Sequence, residues 1–128
     1  MSKNSYICDC RVIHEYAVDS VICNMPCDSL LTSVSNFLKV LSDKTRCKIV
    51  SALLTIKELC VCDIANVLQM TKSSISHQLR KMRDCGIVKF RRYKKQVLYS
   101  LNDGHVRSIF QTTLSHVKHI TGEKDENE

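Results

Sequence analysis

Two segments of this chain place metal-ligand side chains at tight spacings. The first is Glu58-Leu59-Cys60-Val61-Cys62-Asp63, in which two thiols stand one residue apart. The second contributes Asp103 and His105, then His116 and His119 eleven and fourteen residues after His105. Thiolates suit soft cations such as Cd²⁺, Pb²⁺, Zn²⁺ or Cu⁺, whereas imidazole with carboxylate suits Zn²⁺. Between the two segments lies a polar, cationic stretch, Lys72 to Arg83, of the kind that approaches nucleic acid.

Cys60 and Cys62 fall where a helix is expected to begin. The positive end of the helix dipole there should lower their pKa and favour the thiolate, the ligand form. Two thiolates make half a site. The N-terminal arm offers Cys8, Cys10 and His14, with Cys23 and Cys27 as further candidates. A redox-active thiol pair and plain structural thiols are the alternatives. For the second group, ~16 Å of helix axis separates His105 from His116, so one helix cannot wrap both around one ion. His116 and His119 can share an ion, and so can Asp103 and His105. Two antiparallel copies of the helix would bring the Asp103/His105 pair of one chain to the His116/His119 pair of the other. That makes two equivalent Zn²⁺ sites across a two-fold interface. The plainer alternative is four polar residues on the solvated face of a terminal helix.

Ile75, Leu79 and Met82 recur at helical spacing and define a buried stripe. The opposite face then carries Lys72, Ser73, Ser76, His77, Arg80 and Arg83. Short hydroxyls let a helix approach base edges in the major groove, and cations meet phosphates. Arg91, Arg92, Lys94 and Lys95 would set a basic tip against the flanking backbone. For His77, a DNA-facing or packing role is favoured over metal ligation.

The elements that must position these groups are mostly helical. Leu30, Leu31, Val34, Phe37, Leu38 and Leu41 repeat at three- and four-residue steps. Asp43 is a candidate cap for a second helix bearing Ile49, Val50, Leu53 and Leu54. Cys47, near that stripe, reads as a core or near-core thiol. Val61–Leu68 and Lys72–Asp84 form two short helices joined by Gln69-Met70-Thr71, a helix-turn-helix, with Thr71 as cap and Cys85-Gly86 as the stop. Ala65 sits where they would cross. Ile87–Arg92 and Gln96–Leu101 alternate as strands around the turn Tyr93-Lys94-Lys95, which lacks glycine. A last helix is expected from about Asp103 to Ile120, with Asn102 as candidate cap. The fold class is mainly α with a β-hairpin wing, a winged helix-turn-helix, assembled as a homodimer.

The 128 residues suit one domain, and 44% hydrophobic residues can bury a modest core. Three glycines and one proline disfavour a turn-rich β-sandwich. Net charge is +6, but the six C-terminal residues hold four acids and one lysine, leaving +9 on the rest. Such an excess points to a polyanionic partner. No signal peptide or membrane-length apolar run appears, so a cytoplasmic location is expected. There, eight cysteines are better read as ligands or redox groups than as disulfides. The chain divides into a Cys-rich arm (1–27), a DNA-binding and dimerisation domain (28–122) and an acidic tail expected to be disordered (123–128).

The run Glu58 to Ala65, then Ser74-Ile-Ser76-His77-Gln78-Leu79-Arg80, Val97-Leu-Tyr99-Ser-Leu101 and Asp103-x-His105 resembles the ArsR/SmtB family of metal-sensing winged-helix repressors. It is most similar to the CadC-like branch responsive to cadmium, lead and zinc, over roughly residues 30 to 120. The resemblance implies a homodimer on an imperfect inverted repeat in double-stranded operator DNA, released by metal and controlling efflux or resistance genes. It implies Cd²⁺ or Pb²⁺ at Cys60 and Cys62, completed by N-terminal ligands of the other subunit. Cys10-x-x-x-His14 stands where the branch often has Cys-x-x-x-Cys. It also implies Zn²⁺ at Asp103, His105, His116 and His119. The alternatives are a cytoplasmic metal-binding or trafficking protein with no operator, and a repressor switched by thiol oxidation. An enzyme is not expected: no nucleophile–base pairing, phosphate loop or glycine fingerprint is present.

Overall fold

A computed structural model describes residues 14–125. Cys8 and Cys10 therefore lie outside the described residues. The elements run α1 (Glu15–Asn24), α2 (Asp28–Leu41), α3 (Lys44–Thr55), β1 (Leu59–Cys60), α4 (Val61–Leu68), α5 (Lys72–Asp84), β2 (Val88–Tyr93), β3 (Gln96–Leu101) and α6 (Gly104–Thr121). The chain forms two compact units, Met1–Thr32 and Ser33–Glu128. In the first, α1 buries no residue, and its Asn24 side chain donates back to the Ser20 carbonyl.

The second unit holds the core. Ile49, Val50 and Leu53 of α3, Ile64 and Ala65 of α4, and Ile75, Leu79 and Met82 of α5 are buried together with Ile87, Val88 and Val106. The three α5 residues follow the i, i+4, i+7 stripe, so packing fixes which face of that helix remains in water. Local signals set the helix ends. Asp43 accepts from the Arg46 amide at 3.1 Å, and Thr71 Oγ1 accepts from the Ser74 amide at 3.2 Å. Gly86 stops α5 with φ +78°. Gln69, the C-cap of α4, takes φ +54°, left-handed backbone without the help of glycine.

The sheet is antiparallel in the order β1-β3-β2. Its two-residue strand β1, not apparent in the sequence pattern, pairs Leu59 with Tyr99 and Cys60 with Leu98. β2 and β3 form the expected hairpin, closing with Tyr93 opposite Gln96. The turn solves its lack of glycine by placing Lys94 at φ +57°. At the start of α6, Asp103 replaces the expected Asn102 as cap: Asp103 Oδ1 accepts from the His105 and Val106 amides at 2.9 and 3.1 Å. The Asn102 amide is already committed to the Ile87 carbonyl. Among the described residues, no helix is long and apolar enough to cross a membrane.

Candidate functional site

The thiol corner is built by β1 and the first turn of α4. Cys60 precedes the helix and Cys62 lies on its first turn, half-buried and exposed respectively. The Cys60 amide and thiol both donate to Asp63 Oδ2, at 3.2 and 3.1 Å. Burial pushes the Cys60 thiol up, and donation to the Asp63 carboxylate adds to the rise. This corrects the expectation that the helix dipole would depress it. Burial and, after it, the Asp63 carboxylate both favour the protonated thiol. The two thiols remain soft donors suited to a soft cation, but among the described residues they do not form a three-ligand cluster with Asp63.

His14 is exposed at the N-cap of α1. Cys27 sits just before α2, its thiol 3.4 Å from Ser29 Oγ. The Ser29 hydroxyl and the Leu30 amide hold that thiol below its usual range. Cys23 is exposed. Cys47 is half-buried and donates to the Leu41 carbonyl at 3.2 Å, in keeping with a near-core thiol.

On α6 the four candidate ligands fall into two pairs. His105 Nδ1 lies 3.4 Å from Asp103 Oδ2, and the His105 side chain is 91% exposed. The Val106 amide, supported by His105, keeps the Asp103 carboxyl below the usual carboxylate range. Oδ1 is engaged in capping, and Oδ2 accepts from Asn102 Nδ2 at 3.5 Å while facing His105 Nδ1. His116 and His119 line one shallow concavity with Gln111, Thr112 and Ser115. Imidazole and carboxylate donors of this kind fit Zn²⁺. Among the described residues, no three His, Cys, Asp or Glu side chains converge in the single chain.

The solvent face of α5 presents Lys72, Ser73, His77, Arg80 and Arg83, while Ser76 is half-buried. Arg83 rests 5.3 Å over the Phe90 ring. Gln78 is turned inward: its Oε1 accepts from Arg46 Nε at 2.8 Å, and Arg46 Nη1 also donates to the Val40 carbonyl. Arg92, Lys94 and Lys95 are exposed at the hairpin. Arg91, a candidate DNA contact, gives its guanidinium to Glu58 in a two-pronged ion pair, Nε to Oε2 at 2.5 Å and Nη2 to Oε1 at 2.8 Å, with its side chain 54% exposed. Each partner drives the other toward its charged form. Sequence reasoning missed this pair because its members lie thirty-three residues apart.

Residues 43–89 match the family described as bacterial regulatory protein, arsR family. The cadmium resistance transcriptional regulatory protein CadC homolog of Staphylococcus aureus is 35% identical over 114 residues, covering 89% of this chain and 93% of that protein. This chain belongs to the ArsR/SmtB family. The transcriptional repressor SmtB homolog of Synechocystis is 34% identical over 112 residues, covering 88% and 84%. Among solved structures of the fold, the transcriptional repressor PagR of Bacillus anthracis has a TM-score of 0.61 at 30% identity, covering 66% of this chain and 97% of that one. The antimony-specific repressor AntR reaches a TM-score of 0.69 at 24% identity, covering 78% and 90%. The winged helix-turn-helix expected from the hydrophobic pattern is thus the ArsR/SmtB fold, and these relatives are regulators of transcription.

Proposed function

We propose that this protein is a metal-responsive transcriptional repressor. Two copies hold operator DNA when metal-free and leave it when a soft or borderline divalent cation is bound, freeing efflux or resistance genes for transcription. The observation that carries this reading is the placement of Cys60 and Cys62 at the start of α4, on the same packed unit as the exposed basic face of α5. A change at the thiols therefore reaches the DNA-reading helix through packed side chains rather than through a flexible linker. The name of the cadmium-resistance CadC relative supports metal as the signal.

Cys60 and Cys62 would hold Cd²⁺ or Pb²⁺, with Cys8, Cys10 and His14 as the arm's candidate donors and Cys23 and Cys27 as alternatives. A cation held there would supply positive charge that favours the Cys60 thiolate over the thiol now donating to Asp63. Asp103, His105, His116 and His119 would hold Zn²⁺. Each pair supplies half of a four-donor set, and a second copy supplies the other half. Apolar side chains left exposed on α2 (Val34, Leu38) and α6 (Ile109, Leu114, Val117, Ile120) give such a dimer surface to bury. In operator binding, Lys72, Ser73, Ser76, His77, Arg80 and Arg83 face the major groove of each half of an inverted repeat. Arg92, Lys94 and Lys95 meet flanking phosphates. Release then reflects the difference in metal affinity between free and DNA-bound dimer.

The test is operator titration at ~0.2 M salt, where non-specific affinity is weak, with Cd²⁺, Pb²⁺ and Zn²⁺ added singly and thiolate charge-transfer absorption recorded. Sequence-specific binding that at least one ion abolishes is the expected result. Binding that ignores sequence would instead favour a metal-trafficking protein, and indifference to every ion would end the proposal. Release by peroxide but by no metal ion would favour a thiol redox switch instead.

A further inference from the structure

We infer that Glu58 is a positioning residue that ties the wing to the thiol corner, so that occupancy of Cys60 and Cys62 is felt by the β2–β3 hairpin. The inference deepens the proposed function and rests on it. Three observations carry it. Cys60 stands opposite Leu98 in the β1–β3 pairing, and Leu98 stands opposite Arg91 in the β3–β2 pairing. Cys60, Leu98 and Arg91 therefore share one rung across the sheet. Glu58, two residues before Cys60, reaches across this rung and receives both prongs of the Arg91 guanidinium. Two parallel N–H···O contacts fix orientation as well as distance, which a single contact would not. The loop is thus closed twice, once through the backbone rung and once through the ion pair.

The consequence is mechanical. Two-residue β1 has little pairing of its own to hold the hairpin in place. With Glu58 gripping Arg91, a displacement of Cys60 away from Asp63 carries β2 along with it. β2 and the turn bear Arg92, Lys94 and Lys95, so their aim at flanking phosphates shifts together. Arg91 itself is a wing anchor, its charge already matched by a carboxylate, and it adds little to phosphate binding.

The experiment uses the full chain, with Cd²⁺ as the probe. Wild type, Glu58→Gln and the charge swap Glu58→Arg/Arg91→Glu are each brought to the same thiolate charge-transfer absorption. Hydrogen exchange of the hairpin amides, residues 88–101, is then read with and without the ion. In wild type the exchange rates should change by at least about fivefold, the low end of usual site-to-site coupling. In Glu58→Gln the change should fall below about twofold at equal occupancy, and the swap should restore it. A merely structural pair would loosen the hairpin equally with and without Cd²⁺, leaving the ratio as in wild type, and that result overturns the inference. So does a wild-type hairpin that ignores Cd²⁺. A hairpin that responds while operator binding does not would keep the coupling and sink the repressor reading.

Discussion

The thiol corner and the α6 histidines are both candidate metal sites, but they are built differently. Cys60 is held in a sheet rung and next to a helix whose Ile64 and Ala65 are part of the core. The α6 ligands lie on a helix that buries only Val106, with His105, His116 and His119 all in water. A group embedded among packed elements can move its neighbours, whereas one on an exposed helix chiefly acts on whatever docks against that helix. The contrast assigns two roles. Under the proposed function, the corner would act on the DNA-reading face within one chain, and α6 would act on the contact between chains.

Cys60→Ser offers the largest way to break this division. Cadmium-driven operator release, of the order of 5- to 150-fold for ordinary coupling, should vanish in an operator titration, while metal-free binding stays near wild type. Full release in that variant would move the switch elsewhere. His116→Ala is the counterpart. Zinc affinity should fall by more than the ~10–100-fold that follows loss of an outer-shell partner, read by competition with a chromophoric chelator. Cadmium-driven release should survive. If it does not, the two sites act as one and the distinction collapses. Next in size, Arg80→Ala should cost about 1–3 kcal/mol of operator affinity and relax specificity at one base position. Its responses to both metals should keep their wild-type ratios, because Arg80 belongs to neither site.

Much of this architecture was legible because its signals are local. Ile75, Leu79 and Met82 announced the buried face of α5, and with it the exposed one. Thr71, Asp43 and Gly86 marked helix ends by mechanisms that need only a few neighbouring residues. Where a partner is distant or an element too short to show a period, the sequence was silent. β1 spans two residues and exists only through its pairing with β3. Glu58 and Arg91 carry nothing that names each other. α1 carries Ala17, Val18, Val21 and Ile22 at helical steps, but they lie among cysteines that read more readily as ligands, and the helix buries no residue. The rise in the Cys60 pKa was within reach only in part. Cys60-x-x-Asp63 has the spacing of a capping box, which brings the third residue's carboxylate back to the first. That carboxylate gives only the second cause of the rise; the first, burial of Cys60 against β3, is not written in the local sequence.

The smallest effect tests how the corner's wing is held. Lys94 sits at φ +57° in a two-residue turn, where a side chain bearing Cβ is strained by roughly 1–2 kcal/mol. Glycine adopts that backbone freely but loses more entropy on folding, about 0.5–1 kcal/mol. Lys94→Gly should therefore stabilise the protein modestly, by about 0.5–1 kcal/mol, measured as a rise in the urea midpoint at unchanged slope. The same change removes a cation from the wing, so the slope of log affinity against log salt should shrink by about 1. Stability and DNA affinity then move in opposite directions from one substitution. If both fall, the turn owes its shape to contacts of the Lys94 side chain, which lies 5.4 Å over the Tyr93 ring. The zinc response through α6 should be indifferent in either case, because the wing and that helix answer to different sites.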